Sequence, residues 1–334
     1  MTQLLIKKSR RGLLSVMPGR WEPVASDRLL DAVSVLSLFV TVLGPVIAIV
    51  AIGALTGRRL GVDIQSLSRL AYWVLGPAFV FDIFATSDLA GSVAARLFVA
   101  AVAGMVAAAA VMLSSFRLTR SARSENAADL MTAVYGNVGN TGLAVSVFAL
   151  GDDILDAAGV LMLTINIIGM MVGISLAASQ SVGRAAAIKR ALLAPMTLAA
   201  LVAIPVNVGS IAVPTLVDRS VGLLAGALIP VMLYTMGIQL TETRDWSFSP
   251  GLGASALAKL LVAPLAAFVV ASAIGLTGDN LAVVAIQSAM PPAIFCIIVA
   301  NEHKLEPERV ATNVAAMTLL SLLTLPVVLV LTVS

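Results

Sequence analysis

Cysteine and histidine each occur once, as Cys296 and His303. One cysteine forms no internal disulfide, and one of each leaves no ligand set for a structural zinc site. His303 stands in Asn-Glu-His-Lys, which reads as a solvated loop. Charge is scarce: Asp, Glu, Lys and Arg make 12% of the chain, about half the share of a soluble domain. No G-x-x-x-x-G-K-[ST] run is present, which argues against ATP-driven transport. The apolar runs hold no nucleophile with a base and no metal cluster, so an intramembrane enzyme or sensor is the weakest function class. No cofactor is expected. The pI of about 9.3 reflects Lys and Arg gathered in loops, which is a topology signal and not a nucleic-acid one.

What the chain has in abundance is apolar sequence. Hydrophobic residues make 59% of the 334, and the mean hydropathy is +1.02. Apolar runs of about 20 residues fit a hydrocarbon core ~30 Å thick, so the expected class is an all-α polytopic membrane protein. Ten spans can be placed. Val33–Thr56, Ile64–Thr86, Val93–Leu113, Asp129–Leu150 and Ile154–Ala178 fall in residues 32–179. Leu192–Val208, Val221–Leu240, Gly253–Leu276, Asn280–Ala300 and Val310–Val333 fall in 192–334, with a linker over 180–191. Residues 1–31 form a basic tail with Lys7, Lys8, Arg10, Arg11, Arg20 and Arg28. Its apolar stretch Leu13–Met17 is too short to span and lacks a cleavage pattern.

Two spans are interrupted. In the fourth, Gly136, Asn137, Gly139, Asn140, Thr141 and Gly142 stand in the middle of apolar sequence. Glycine costs roughly 1 kcal/mol against alanine in a helix, and asparagine favours caps and turns. In the ninth, Pro291 and Pro292 remove two backbone donors. A single break is an ordinary packing kink. Two breaks about 150 residues apart, in corresponding halves, point to a transport site at the bilayer midplane.

The halves also echo each other around Pro77 and Pro230, in Trp73-Val-Leu-Gly-Pro-Ala-Phe-Val-Phe and Gly226-Ala-Leu-Ile-Pro-Val-Met-Leu-Tyr. Five spans per half is an odd number, so the second repeat enters from the opposite side and the repeats are inverted. Arg58, Arg59, Arg117, Arg120, Arg123, Arg184, Lys189 and Arg190 follow the odd-numbered spans of the first half. Asp88, Asp152, Asp153 and Asp156 follow the even-numbered ones. Positive loops stay in the cytoplasm, which puts both termini outside; the basic tail runs against that placement.

The motifs now carry a resemblance. Gly136-Asn-Val-Gly-Asn-Thr-Gly-Leu resembles the Asn/Gly-rich signature of the auxin efflux carrier family, and Ser288-Ala-Met-Pro-Pro-Ala is similar to its second signature. Ile229-Pro-Val-Met-Leu and Thr318-Leu-Leu-Ser-Leu-Leu-Thr-Leu-Pro also look like it. The resemblance covers about residues 32–332. It implies two inverted five-helix repeats whose fourth and ninth spans cross as broken helices, a homodimer, and a place in the bacterial cytoplasmic membrane. Plant members export an indole carboxylate, and bacterial members are commonly assigned to malate, malonate or related carboxylates. Ala144, Cys296 and Met317 stand where the family often has Pro, Asn and Ser, so part of its polar lining is missing here.

A carboxylate needs donors and positive potential in a dry place, and helix N-termini supply both. The expected starts follow Gly142 and lie near Pro292. Asn137, Asn140, Gln287 and Ser288 can donate without a buried charge, or can simply cap broken backbone. The expected substrate-binding set is Asn137, Gly139, Asn140, Gly142, Gln287, Ser288, Pro291 and Pro292. Tyr234, Asn166 and Asn313 are possible further lining, the two asparagines having interhelical bonding as their other reading. Asp82 is either interfacial or proton-linked. Lys259 is expected to snorkel to the cytoplasmic side, or else to be ion-linked. The expected function is an organic-anion carrier working by alternating access, with efflux favoured. Sodium-coupled symport and cation/proton antiport are the alternatives, although the fifth span offers only Thr164 and Asn166 where an antiporter needs buried acids.

Overall fold

The computed structural model describes residues 39–119, 121–177, 189, 192–241 and 248–333. The basic tail, most of the linker and Ser334 lie outside them. The described residues are helical, with no strand among them. The helices are α1 Gly44–Thr56, α2 Ile64–Thr86, α3 Gly91–Thr119, α4 Arg123–Val134, α5 Leu143–Leu150 and α6 Leu155–Ala177. They continue as α7 Pro195–Val208, α8 Thr215–Leu240, α9 Pro250–Ala273, α10 Gly278–Ser288, α11 Phe295–His303 and α12 Pro307–Val333. Six helices (α2, α3, α6, α8, α9 and α12) are long and apolar enough to cross a membrane, so the chain is a multi-pass membrane protein.

Proline shapes several helices. Phe39–Leu43, Ala71–Leu75 and Ala258–Val262 are widened turns, and each is followed by Pro45, Pro77 or Pro264 one residue into the next segment. A proline has no N–H and its ring crowds the carbonyl four residues back, so a wider turn relieves the clash without ending the helix. Asp63 starts α2 as its N-cap, accepting from the Ser66 hydroxyl and from the Gln65 and Ser66 amides. Those bonds, the Ser66 hydroxyl first, hold its carboxyl below the usual range.

The helices pack as two groups. α1 and α2 pack on α7 and α8, whereas α3, α6, α9, α10 and α12 surround the short helices α4, α5 and α11. Small residues allow close approach: a Cβ on Gly53 or Gly237 would lie 2.1 or 2.0 Å from a carbonyl oxygen of the facing helix. In the second group, α4 begins at Arg123, earlier than its apolar pattern suggests, and its first two turns carry Glu125 and Asp129 as partners for Arg309. Arg309 on α12 donates from Nε and Nη2 to the two Asp129 oxygens at 2.9 and 2.8 Å. Asn313 Nδ2 adds bonds to Asp129 at 2.9 Å and Thr132 at 3.1 Å.

That pair yields a stability prediction. Arg309→Ala leaves a buried carboxylate unpaired and should cost about 3–5 kcal/mol, seen as a lower melting temperature. Adding Asp129→Asn removes the stranded charge and should recover part of the loss; no recovery would contradict the pairing.

Candidate functional site

The expected breaks are real interruptions. α4 ends at Val134 and α5 starts at Leu143 after a widened turn over Val138–Gly142. α10 ends at Ser288 and α11 starts at Phe295. The two irregular stretches run antiparallel and bond to each other. The Asn137 N–H donates to the Pro291 carbonyl at 2.7 Å, and the Ala293 N–H donates to the Tyr135 carbonyl at 2.8 Å, forming a bridge between Gly136 and Pro292. Backbone groups with no water to bond cost several kcal/mol each, and here each break supplies the other's partner. Pro291 and Pro292 have no N–H, which lowers the number of donors the crossing must satisfy.

Two glycines permit this crossing. A Cβ on Gly142 would come within 2.3 Å of Gln287 Oε1 and 3.1 Å of Met290 Cγ. A Cβ on Gly136 would come within 2.8 Å of Lys259 Nζ. Lys259 therefore does not snorkel. It is 2% exposed, its Nζ donates to the Ser288 carbonyl at 3.2 Å, and no carboxylate pairs with it among the described residues. The correction has a physical cause: α9 is widened at Ala258–Val262, and the lysine is carried beside the crossing on the side that holds Gly136.

A cavity of about 550 Å³ lies between the two helix groups. Gln65 and Arg69 of α2 and Asn301 of α11 are exposed at its mouth, and its deeper wall reaches Met162 of α6, Leu228 of α8 and the first break. Asn137, Gly139 and Asn140 line it, and so does Asn166. Asn137 is 4% exposed and donates to Thr141 Oγ1 at 3.2 Å, with Met236 Sδ at 3.6 Å. Asn140 is 8% exposed and its side chain has no protein partner among the described residues; Asn166 is half-buried and likewise has none. Neither Asn137 nor Asn140 spends its side chain capping the helix that follows.

Other expected residues lie elsewhere. Gly142, Gln287, Ser288, Pro291 and Pro292 build the crossing but do not line the cavity. Gln287 Nε2 reaches Ser146 Oγ at 3.3 Å, and its Oε1 has no partner among the described residues. Asn313 belongs to the Asp129 network, which is the interhelical reading. Tyr234 exchanges a hydrogen bond with Thr56 at 2.9 Å, away from the cavity. Asp82, near the far end of α2, is also outside the wall. Sequence reasoning missed the aromatic side chains Tyr72, Trp73, Tyr135 and Phe295. Tyr72 and Phe295 stack across the two groups with centroids 6.3 Å apart, and Tyr135 meets Phe295 edge-on at 6.0 Å.

Residues 180–329 match the family model described as membrane transport protein. That stretch includes the second break and not the first. A protein of Methanothermobacter thermautotrophicus, described as an uncharacterized transporter, is 28% identical over 145 residues. The alignment covers 41% of this chain and 45% of the relative, so the chain matches less than half of that relative's length.

The tight fit of Gly142 is testable. Gly142→Ala should lower the melting temperature by an amount equal to about 1–3 kcal/mol, the usual range for overpacking. Gln287→Ala in that background opens the space and should restore most of it. An unchanged melt in Gly142→Ala would mean that the breaks do not approach this closely.

Proposed function

We propose that the chain is a secondary carrier of small organic anions, carboxylates in particular, working by alternating access between its two helix groups. The observation that carries this reading is Asn140. A nine-tenths buried amide with no protein partner faces a cavity at the start of the helical segment leading into α5. The first turn of a helix has N–H groups without intrahelical acceptors, and its dipole favours negative charge. Lys259 adds a positive charge behind the same crossing. Among the described residues the lining holds no Asp or Glu, which favours an anion over a cation as cargo. The family match over the second half and the transporter name of the archaeal relative support the general class.

We read the architecture as ten spans in two inverted repeats, α1–α6 and α7–α12, with α4/α5 and α10/α11 as the broken spans. Exchange of packing partners supports this. α1 packs on α8 as α7 packs on α2, α4 packs on α12 as α10 packs on α6, and α3 packs on α9. Such exchange is what a two-fold relation in the membrane plane requires. With positive loops inside, the cavity mouth at Arg69 and Asn301 faces the cytoplasm. At the opposite end Ser87 Oγ donates to Asp156 at 2.9 Å, and Asn207 Nδ2 donates to the Ser87 carbonyl at 2.8 Å. These bonds join α6 and α7 through the end of α2. An inward-open cavity fits efflux, since a monoanion leaving a negative-inside cell gains roughly 2.3 kcal/mol per 100 mV. The resemblance extends the proposal to a homodimer in the bacterial cytoplasmic membrane.

Asn140 provides the test. Asn140→Ala removes a donor to a charged group, worth about 1.5–3 kcal/mol, so carboxylate affinity should fall roughly ten- to hundredfold. Asn140→Asp adds like charge and should bind more weakly still, while its melting curve stays near wild type because an acid near a helix start is well placed. Normal carboxylate affinity in Asn140→Asp would remove Asn140 from the site.

A further inference from the structure

We infer that the rim of the cavity holds an anionic phospholipid, its phosphate on Arg69 and Lys189 and the upper part of an acyl chain along Trp73. The site lies on one edge of α2. Arg69, Tyr72 and Trp73 line the cavity, whereas Leu70 and Val74, beside them on the helix, are exposed and do not. The lining face of α2 therefore turns into its lipid face at Arg69 and Trp73. Both side chains are exposed, Trp73 to 65%, and residues four apart stand one above the other on a helix. α7 starts beside the same stretch: a Cβ on Gly76 of α2 would meet Met196 Cε at 2.7 Å. The turn leading into α7 carries Lys189, which is exposed, and its carbonyl accepts from the Leu193 N–H at 3.0 Å. Leu192 and Leu193, one turn on, are exposed as well.

Depth decides what these cations meet. α2 has 23 residues, a length of about 34 Å against a hydrocarbon core of ~30 Å. Arg69 stands about 7.5 Å along it from Ile64, and Trp73 about 6 Å deeper. The guanidinium can reach back along its own stem to the phosphate layer, above an indole at the top of the acyl region. No carboxylate bonds to Arg69 or Lys189 among the described residues. A cation on a lipid-facing rim is costly until an anion meets it. A phosphodiester supplies that anion to both side chains, and its acyl chain covers Trp73, Leu192 and Leu193. A zwitterionic lipid brings an ammonium that competes for the same phosphate. Arg69 is the one cationic lining residue among those described, so a phosphate there makes the charge of the bilayer set the potential at the mouth, whichever solute is carried.

The test reads Trp73 fluorescence in the full chain carrying Trp21→Phe and Trp246→Phe, in phosphatidylcholine nanodiscs. Phosphatidylglycerol brominated near the head of its acyl chains is titrated in, and brominated phosphatidylcholine in a parallel series. Each cation near an anionic lipid is worth about fivefold, so the brominated phosphatidylglycerol should quench at a mole fraction at least tenfold lower. Arg69→Gln and Lys189→Gln should each remove about fivefold of that preference, and together all of it. Arg59→Gln with Arg117→Gln takes the same charge from exposed positions elsewhere and should leave the preference intact. Glycerol 3-phosphate at millimolar concentration should leave the quenching unchanged. Retention of phosphatidylglycerol by the protein with all its tryptophans, read by native mass spectrometry with and without the two Gln substitutions, measures the same site if the Trp73-only protein does not fold. Equal quenching by the two lipids, an equal loss in the Arg59/Arg117 control, relief by glycerol 3-phosphate, or lipid retention unchanged by the two Gln substitutions would overturn the inference. None of these outcomes bears on the carboxylate reading, whose test is Asn140.

Discussion

A helix broken inside a bilayer leaves backbone donors and acceptors with no water to meet, and this constraint organises the molecule. The chain meets it by breaking two helices at the same place and bonding each break to the other. The short bridge between Gly136 and Pro292 fixes where α5 and α11 start. It also brings the first break to the cavity wall, because the Asn137 backbone N–H is held by the Pro291 carbonyl; the Asn137 side chain is spent on Thr141, and that of Asn140 stays available. Proline in one break and glycine in the other are complementary: one removes donors and the other removes bulk.

Charge follows the same economy. The second helix group buries two kinds of charged device. Asp129 and Arg309 form a two-bond pair completed by Asn313, so neither charge is left alone, and the pair ties α4 to α12. Among the described residues Lys259 bonds to the Ser288 carbonyl and to no carboxylate, a costly position unless its field serves the crossing. The first group holds no comparable device in contact with the cavity. It contributes apolar wall from Trp73, Leu228 and Met232 together with the polar side chains of Thr197, Thr235 and Gln239, and the second group presents its asparagine amides to the same cavity.

How much was legible in the sequence varied with the kind of signal. Helix breakers in apolar surroundings are read locally, so both breaks and the long helices were visible from residue types alone. Faces were not. α9 is apolar around most of its circumference, so no periodic stripe said whether Lys259 pointed to lipid, to the membrane surface or inward, and the surface reading proved wrong. Asp129 and Arg309 stand at the edges of apolar runs, where charges usually mark an interface, and their pairing joins residues 180 apart. Gln287, Ser288, Pro291 and Pro292 were expected to bind substrate from the second break, and they stand at that break. Which side of it they occupy depends on the path of the whole chain, and they lie away from the cavity. The aromatic wall was missed for a related reason: Tyr72 and Phe295 resemble ordinary membrane-helix residues until two distant helices bring them together.

The account stands or falls on the cavity beside the crossing being the place where an anion is held. A structure with a heavy-atom-labelled carboxylate bound, such as an iodinated arylalkanoate, tests this directly. The account places the carboxylate within hydrogen-bonding distance of Asn140 and the iodine among the methionine and aromatic side chains of the wall. Iodine density at the far end near Ser87 and Asp156, or on the outer surface of the helices with the cavity empty, would contradict it.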